Sequence, residues 1–454
     1  MSQGNPGAAP AHPQLQQTLH DDLHYIWHPF TPLDHRQRND ELPVVVSAKG
    51  VWMHTADGRQ LLDATGSWWV SNLGHRPERV VAALHRQLDL NPHTMLAETT
   101  HPGAAELARR LVQVAPAGLQ RVFWSDNGST AVEVALQTAF QYWQQNGRPA
   151  RRLFLTFRAG YHGDTMAALS VGGIDFFRKR FERLTFETLR APSPVDVPDE
   201  DGSGTAASFD TLASIAREHA GELAGIIIEP LIQGAGGMLM YPPEWLTRLR
   251  ALCDELDTFL IADEVFTGFG RTLRMFACEH AGITPDFLCL SKGLTAGTLP
   301  FGATLSTSRI YDGFQGGMDR ALLYGHSYCG NPLGCAAALA VLDTFAHDDI
   351  LAQATRSADV MRDRLSTLAD ENGVAEVRQT GFVAAVQLQG DADYRLPIGR
   401  RVAALAQRRG IFLRPLGNVV YLVPALNISA TDLAFLLDGT LDAIRTALHD
   451  RHVE

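Results

Sequence analysis

The sequence predicts an α/β fold in which helices cover a mostly parallel sheet. Apolar runs of strand length alternate with segments of helical periodicity from about residue 77 to about residue 345. Three of these runs, residues 153–157, 224–230 and 259–265, are apolar almost throughout, which is typical of parallel strands buried on both faces. Polar residues follow each run, so the carboxyl edge of the sheet is the expected ligand site.

The first strand of the series, residues 121–125, runs into a glycine-containing turn and then a helix. Ser129 lies near the start of this helix, where free backbone N–H groups and the helix dipole favour an anion such as phosphate. Gly128 allows the backbone to approach such a ligand closely. A serine that only caps the helix would give the same pattern. The helix is indicated by apolar residues at helical spacing, namely Val132, Ala135, Leu136, Ala139, Tyr142 and Trp143.

The next two strands also end in residues that could serve a site. Residues 160–165 place Tyr161 and His162 in a turn, where the tyrosine ring could stack on a flat cofactor, although a histidine in such a turn is often only hydrogen-bonded. Glu229 ends the strand at 224–230. The glycine run that follows lacks the Gly-x-Gly-x-x-Gly spacing, which argues against a nicotinamide dinucleotide.

Two residues predict pyridoxal phosphate chemistry. Only three of the 39 basic residues are lysines, and one of them, Lys292, follows the apolar run 287–290. A lysine amine desolvated by apolar neighbours can lose its proton and form a Schiff base, which arginine cannot do. Asp263 ends the strand at 259–265 and could keep a pyridine nitrogen protonated. A surface lysine and a turn-capping carboxylate remain the alternatives for each residue taken alone.

Taken together, the motifs resemble those of the class III aminotransferases, which depend on pyridoxal phosphate and share the type I aminotransferase fold. The resemblance extends from about residue 24 to the C-terminus, and additional motifs are similar to the branch that acts in biotin biosynthesis. The family motifs are Ser-Asp-Asn-Gly-Ser at 125–129, Gly-Tyr-His-Gly at 160–163, Ala-Asp-Glu-Val-Phe-Thr-Gly-Phe-Gly-Arg at 262–271 and Ser-Lys-Gly at 291–293. The branch motifs are residues 26–31, 67–69, 234–238, 276–280 and 330–333.

The resemblance implies a role for each matching residue. Lys292 would carry the cofactor covalently and move protons, and Asp263 would contact the pyridine nitrogen. The expected cofactor-binding set is Gly128, Ser129, Tyr161, Asp263 and Lys292, together with His326 and Ser327 reaching the phosphate of the neighbouring subunit in a homodimer with shared active sites. The expected substrate-binding set is Phe30, Trp68, Trp69, Tyr161, Gly325 and Arg414.

The implied reaction is transfer of an amino group to 8-amino-7-oxononanoate, giving 7,8-diaminononanoate. Arg414 would bind the substrate carboxylate through its guanidinium fork. The amino donor stays open between S-adenosylmethionine and lysine. Phe30 stands where members that use S-adenosylmethionine usually have tyrosine, and the loop 325–330 resembles variants that use lysine, whereas Trp68 and Trp69 resemble the first group. An aminotransferase for another ω-amine or ω-amino acid, and a pyridoxal-phosphate isomerase, decarboxylase or regulator, are the competing functions.

Composition fits a large globular enzyme with small-molecule substrates. Of 454 residues, 45% are hydrophobic and 20% charged, and the net charge of −11 argues against nucleic acid or an anionic membrane as a partner. Five cysteines without Cys-x-x-Cys spacing indicate reduced thiols, a cytoplasmic location and no metal site. We see no signal peptide and no apolar run of the roughly 20 residues that a membrane span requires.

We expect two domains. A large cofactor-binding domain would span residues 74–345, and a smaller α+β domain would combine residues 23–73 with residues 346–454. Residues 1–22, rich in Gln, Ala and Pro, are expected to form a disordered tail. Asp57 and Gly58 predict a hairpin turn in the small domain, and residues 191–208 predict a long surface loop.

Overall fold

The computed structural model describes residues 15–32, 42–195, 208–390 and 397–449. Strands and helices alternate through the middle of the chain, as the apolar pattern predicts. The strands are β1 (Val45–Lys49), β2 (Trp52–Thr55), β3 (Gln60–Asp63), β4 (Leu119–Ser125), β5 (Leu153–Phe157), β6 (Thr188–Ala191), β7 (Leu223–Ile228), β8 (Ile232–Gln233), β9 (Leu239–Met240), β10 (Phe259–Asp263), β11 (Phe287–Leu290), β12 (Gly302–Thr307), β13 (Val374–Thr380), β14 (Val383–Leu388), β15 (Ile411–Phe412) and β16 (Val419–Leu422).

Most helices are regular, and several loops contain short 3-10 turns. A single turn, Gly66–Trp69, has a left-handed backbone. The α-helices are α1 (Leu15–Tyr25), α2 (Glu78–Leu90), α3 (Pro102–Val114), α4 (Gly128–Gln145), α5 (Met166–Ser170), α6 (Asp175–Arg178), α7 (Phe209–Glu218), α8 (Glu244–Glu255), α9 (Ser308–Asp312), α10 (Pro332–His347), α11 (Ile350–Ser366), α12 (Pro397–Arg408) and α13 (Ala430–His449). The 3-10 turns are Lys179–Leu184, Ala277–His280, Lys292–Thr295 and Met318–Arg320.

A seven-stranded sheet forms the centre of the molecule, in the order β4-β12-β11-β10-β7-β5-β6. The pairs β5–β6, β5–β7, β7–β10 and β10–β11 are parallel, whereas β12 is antiparallel to both of its neighbours. The fold class predicted from the sequence is therefore confirmed, with one reversed strand. The carboxyl ends of β4, β5, β7, β10 and β11 lie at the same edge.

Helices cover both faces of this sheet. In β10, Leu260 and Ala262 join one hydrophobic core, while Phe259 and Ile261 join another on the opposite face. Because side chains alternate along a strand, a strand buried on both faces needs apolar residues at every position. Helix α4 packs in the second core, and helices α3, α7 and α8 pack in the first.

The two ends of the chain pack together in a separate hydrophobic core. Strand β15 pairs in parallel with β3, which places Ile411 opposite Leu62. A three-stranded sheet, β13-β14-β16, and the helices α11, α12 and α13 complete this core. The predicted hairpin at Asp57 and Gly58 is confirmed, since β2 and β3 pair in antiparallel fashion on either side of it.

The predicted disordered tail is wrong over residues 15–22, which form most of helix α1. Leucines at 15, 19 and 23 repeat every four residues, and the Gln17 amide donates to the Asp21 carboxylate at 2.8 Å. These spacings favour a helix. The average composition of residues 1–22 does not show them. Residues 1–14 lie outside the described residues. So do residues 196–207, most of the predicted long loop.

Candidate active site

A cavity of about 530 Å³ opens at the carboxyl edge of the seven-stranded sheet. Residues that follow five of its strands line it, because parallel strands bring their carboxyl ends to one edge. Six of the residues expected from the sequence line this cavity together: Gly128, Ser129, Tyr161, Asp263, Lys292 and Trp69.

Lys292 begins the 3-10 turn that follows β11, and its backbone is strained, with a φ of 39°. The Nζ atom lies 4.7 Å from the ring centroid of Trp69 and 5.6 Å from that of Phe266. Loss of hydration lowers the pKa of Lys292 to about 8, while the negative charges of Asp263 and Glu229 partly oppose this shift. The amine is therefore close to a reactive, uncharged state near neutral pH.

Asp263 is buried and held on both oxygens. One oxygen lies 2.7 Å from Nδ1 of the buried His162, and the other accepts the backbone N–H of Val265 at 3.1 Å. Its neighbour Glu264 does not reach the cavity and instead accepts the backbone N–H of Ala277 at 2.6 Å. Successive side chains of a strand point to opposite faces, so only one of the two carboxylates serves the site.

The start of helix α4 presents free N–H groups to the cavity. The helix cap is Asn127 rather than Ser129. Its side chain accepts the N–H of Thr130 at 3.0 Å, and the Thr130 hydroxyl accepts the N–H of Asn127 at 3.0 Å. This capping box leaves the N–H groups of Gly128 and Ser129 free to bind an anion. A Cβ at Gly128 would lie 2.7 Å from Val265, so glycine is required by close packing.

Tyr161 and Glu229 connect two loops at the floor of the site. The carboxylate of Glu229 accepts the backbone N–H of Tyr161 at 2.8 Å and that of Gly234 at 2.9 Å. Burial raises the pKa of Glu229 to about 7, with His162 opposing the shift and Asp263 adding to it. The Tyr161 hydroxyl donates to Asp164 at 2.6 Å, and burial together with that carboxylate raises the pKa of Tyr161.

The two tryptophans lie on the left-handed turn Gly66–Trp69, in which Ser67, Trp68 and Trp69 all have positive φ. The turn separates their side chains, so that Trp69 is buried against the cavity and Trp68 is 37% exposed. The division results from the turn and not from the alternation of an extended strand. Such a turn costs roughly 1–2 kcal/mol per residue.

Asp63 holds the left-handed turn in place. One of its oxygens accepts the N–H and the hydroxyl of Thr65, each at 3.0 Å, and the other accepts the N–H of Ser67 at 2.6 Å. His75 Nε2 lies 3.0 Å from the second oxygen. These hydrogen bonds, together with His75, hold the pKa of the buried Asp63 carboxyl below its ordinary value against the effect of burial.

An aromatic cluster, defined as Phe30, Trp68, Tyr161 and Phe177, lies beside the cavity. Phe30 packs edge-on against Trp68 at 5.7 Å and against Phe177 at 5.3 Å between ring centroids, and Tyr161 lies 6.0 Å from Phe177. The guanidinium carbon of Arg414 lies 4.1 Å above the Trp68 ring. An arginine on the rim of an aromatic surface suits a substrate that has an apolar chain and a terminal carboxylate.

The loop that contains Gly325, His326 and Ser327 does not line the cavity in its own chain. His326 Nε2 lies 3.6 Å from the carboxylate of Asp126, which does line the cavity, and Ser327 is exposed. In its own chain the loop thus reaches the border of the cavity through His326, but none of the three residues lines it.

Several cavity residues were not selected from the sequence. The role of His162 is not visible in the sequence, because nothing local shows that it contacts Asp263, 101 positions away. Val265, Phe266 and Thr298 also line the cavity. Val265 follows Asp263 by two positions in the apolar run, which is a signal that could have indicated it, whereas Thr298 has none.

The chain belongs to the class III aminotransferases. The family described as "Aminotransferase class-III" matches residues 35–444. Among curated proteins, the adenosylmethionine-8-amino-7-oxononanoate aminotransferase of Geobacter sulfurreducens is 44% identical over 444 residues, covering 95% of this chain and 98% of the relative. The protein of the same name from Synechococcus elongatus is 44% identical over 425 residues, covering 92% and 98%.

Solved structures show the same fold. The adenosylmethionine-8-amino-7-oxononanoate aminotransferase of Methanocaldococcus jannaschii superposes with a TM-score of 0.90 at 34% identity, covering 95% of this chain and 99% of that chain. An amine transaminase from an uncultivated Pseudomonas species, in a PLP-bound internal aldimine form, has a TM-score of 0.86 at 34% identity, covering 93% and 99%. The resemblance to this family noted from the sequence motifs is confirmed.

The described residues include no helix long and apolar enough to cross a membrane. Within the same residues, no group of three or more His, Cys, Asp or Glu side chains is arranged to hold a metal ion.

Proposed function

We propose that this protein is a pyridoxal-phosphate-dependent aminotransferase that converts 8-amino-7-oxononanoate to 7,8-diaminononanoate in biotin biosynthesis. The observation that carries the proposal is the convergence of Lys292, the Asp263–His162 pair and the free N-terminus of helix α4 in one cavity. The names of relatives up to 44% identical over nearly the full chain support the choice of substrate.

The residues of the cavity fit this cofactor. The free N–H groups of Gly128 and Ser129 would hold its phosphate, and Asp263 would hold its ring nitrogen in the protonated form. When bound, pyridoxal phosphate supplies an aldehyde that takes up the amino group and a ring that withdraws electrons from the reacting carbon. His162 orients Asp263 through the 2.7 Å contact, and the ring of Tyr161 borders the same space.

We propose that Lys292 is the catalytic residue. Its amine would hold the cofactor through the aldehyde carbon, and as a free base it would accept and return the proton that moves at the substrate carbon. A pKa of about 8 leaves enough free base at neutral pH to act as a nucleophile and a general base. The rings of Trp69 and Phe266 border the space around Nζ and make its surroundings apolar.

We propose that Phe30, Trp68 and Trp69 form the substrate wall and that Arg414 binds the substrate carboxylate. Support comes from the 4.1 Å stacking of Arg414 on Trp68 and from the contact of Phe30 with Trp68. A second candidate, an aminotransferase for a simple ω-amine, is favoured by the 34% identity to an amine transaminase. An arginine on the rim argues for a substrate that carries a carboxylate.

We propose a homodimer in which Gly325, His326 and Ser327 complete the active site of the partner subunit. Their position outside their own cavity supports this arrangement.

We also propose the division into a large domain, residues 74–345, and a small domain built from 23–73 and 346–454. The pairing of β3 with β15 supports this division.

We propose that the protein acts in a reducing compartment such as the cytoplasm. Its five free cysteines support this location.

The experiment is product detection by mass spectrometry. Purified enzyme with pyridoxal phosphate and 8-amino-7-oxononanoate is incubated with S-adenosylmethionine, with lysine, or without a donor. We expect 7,8-diaminononanoate with one donor and none without. Product with lysine alone would assign the donor to the group that Phe30 and the loop 325–330 resemble. The absence of product with either donor, in a protein that transaminates another ω-amine, would support the second candidate.

A further inference from the structure

Two partly buried arginines outside the cavity have only long ion-pair contacts, of 3.7 Å, to the described residues. Arg178 ends helix α6, and Arg190 lies on β6; their side chains are 14% and 24% exposed. The Nε atom of each is fully buried, and no hydrogen-bond partner for it lies within the part of the chain that the structure describes. Removing a guanidinium from water without compensating hydrogen bonds is costly.

Comparison with Arg250 shows what is missing. Arg250 is 15% exposed, close to the value for Arg178, and its Nε likewise has no partner among the described residues. Its two Nη atoms, however, lie 2.7 Å from the carboxylates of Asp286 and Asp254. Arg178, by contrast, lies 3.7 Å from both Asp175 and Glu182, and Arg190 lies 3.7 Å from Asp175. These distances exceed those of charge-assisted hydrogen bonds, which are about 2.7–2.9 Å.

The charges around Arg178 and Arg190 are also unbalanced, in favour of positive charge. Asp175 is shared by Arg178, Arg190 and Lys179, whose Nζ lies 3.6 Å away. Glu182 is 67% exposed and therefore well hydrated. Burial lowers the pKa of the Arg190 guanidinium, and repulsion from Arg178 lowers it further. Among the described residues, one shared carboxylate and one hydrated carboxylate therefore face the two guanidinium groups of Arg178 and Arg190, neither at hydrogen-bond distance.

We propose that Arg178 and Arg190 form a binding site for a tetrahedral oxyanion of the phosphate class. The planar carboxylate of Asp175 lies 3.7 Å from both guanidinium groups, which is beyond hydrogen-bond distance. An anion with three or four oxygens can accept from two guanidinium forks at once. The site lies outside the active-site cavity, and it does not depend on the proposed reaction. It neighbours the aromatic cluster, because Phe177 precedes Arg178.

The test is calorimetric titration of the enzyme saturated with pyridoxal phosphate, so that the start of helix α4 is occupied. Inorganic phosphate, adenosine monophosphate and malonate are titrated separately at constant ionic strength. We expect phosphate to bind one site per chain more tightly than malonate. Tighter binding of adenosine monophosphate would assign a phosphomonoester as the ligand, and equal or weaker binding would assign free phosphate. Tighter binding of malonate would overturn the proposed class of ligand.

Matched variants locate the site. The double variant Arg178→Met, Arg190→Met should weaken phosphate binding by about ten-fold or more, as expected for lost charge-assisted hydrogen bonds. Arg183→Met, on the exposed part of the same basic segment, should leave it unchanged. If the methionine variant does not fold, Arg178→Lys with Arg190→Lys keeps the charge and removes the fork, and should also weaken binding. Undiminished binding in a folded double variant, or no binding to the unmodified enzyme, would overturn the proposal.

Discussion

Lys292 is the residue on which the proposed chemistry depends, and its environment predicts a pH dependence. The amine reacts only as the free base, and its pKa is about 8. We therefore expect the rate at which the apoenzyme captures pyridoxal phosphate to rise about ten-fold per pH unit below this value and to level off above it. Stopped-flow absorbance of the forming bound cofactor measures this rate.

Glu229 modulates that titration. Its negative charge raises the pKa of Lys292, so Glu229→Gln should move the levelling point to lower pH. Glu244→Gln, an exposed position at the start of helix α8, is the control and should leave the profile unchanged. A profile that stays in place or moves to higher pH in Glu229→Gln would show that the carboxylate does not act on Lys292.

Some site residues can be predicted from the sequence and others cannot. The rarity of lysine and its position behind an apolar run indicate Lys292, and the strand end indicates Asp263. The role of His162 could not be predicted, because its contact with Asp263 joins residues 101 positions apart in the sequence. The sheet topology brings them together. Thr298 enters the cavity through the turn after Lys292, for which the local sequence has no distinctive pattern.

At the scale of elements, the left-handed turn Gly66–Trp69 shapes the substrate wall, and Asp63 stabilises it. Asp63→Asn replaces one acceptor oxygen with an NH₂ group that faces other donors. We expect it to lower the free energy of unfolding by roughly 2 kcal/mol and to raise KM for the oxo substrate more than it lowers kcat. Urea unfolding and steady-state kinetics measure the two effects.

The control for that variant is Asp348→Asn, at an exposed ion pair with Arg79 in which the N–O distance is 2.9 Å. Exposed pairs contribute at most about 1 kcal/mol, so this change should alter neither stability nor KM appreciably. An Asp63→Asn enzyme with unchanged KM would mean that the turn does not position Trp68 and Trp69 for substrate.

The N-terminus of helix α4 gives a second prediction at this scale. Asn127→Ala removes the cap and should cost about 1 kcal/mol of stability, and it should also weaken pyridoxal phosphate binding, because the N–H groups of Gly128 and Ser129 lose their fixed orientation. Ser208→Ala removes the cap of helix α7, where the serine accepts the N–H of Thr211 at 3.1 Å.

Thermal unfolding and equilibrium dialysis of the cofactor distinguish the two cap variants. Both should lose similar stability, but only Asn127→Ala should lose cofactor affinity. Equal cofactor affinities in the two variants would show that the helix terminus does not hold the phosphate.

Elements were predictable where a repeating pattern specifies them. The buried strands follow from continuous apolar runs, and the hairpin follows from Asp57 and Gly58. The left-handed backbone at Ser67 and Trp68 was not predictable, because L residues avoid it and its support includes a contact with the carboxylate of Asp63, four positions before Ser67. Helix α1 has a helical spacing of leucines, but the Gln, Ala and Pro content of residues 1–22 is typical of a disordered tail.

At the scale of the whole molecule, the proposed dimer predicts complementation between inactive subunits. Lys292→Ala removes the catalytic amine, and Ser327→Asp places a negative charge where the partner's phosphate would lie. Each variant alone should be inactive. After mixing and subunit exchange, about half of the dimers would be mixed, each with one intact site, and activity should return to about a quarter of that of the unmodified enzyme.

The matched control mixes Lys292→Ala with Asp263→Ala. Both residues line the cavity of the same chain, so no combination of these subunits contains an intact site and activity should not return. Recovery in this control, or none in the first mixture, would contradict the assignment of residues 325–327 to the partner's site.

Most strands of the seven-stranded sheet are parallel, so their carboxyl ends, and the site residues that follow them, lie at one edge. The apolar runs of the sequence predict this arrangement. The reversal of β12, which runs antiparallel to β11 and β4, could not be predicted, because no local pattern in its six residues indicates the direction of the strand. The packing of the two chain ends through β3 and β15 involves strands too short to show a pattern. The family resemblance, and not the local sequence, provided that part of the expectation.

The proposed substrate is tested by the absorbance spectrum of the enzyme with bound pyridoxal phosphate when 7,8-diaminononanoate is added alone. We expect conversion of the cofactor from its aldehyde form to its amine form, because the proposed reaction runs in reverse from its product, and no conversion in Lys292→Ala. An unchanged spectrum, from a preparation that a simple ω-amine does convert, would contradict the proposed substrate while leaving the family assignment in place.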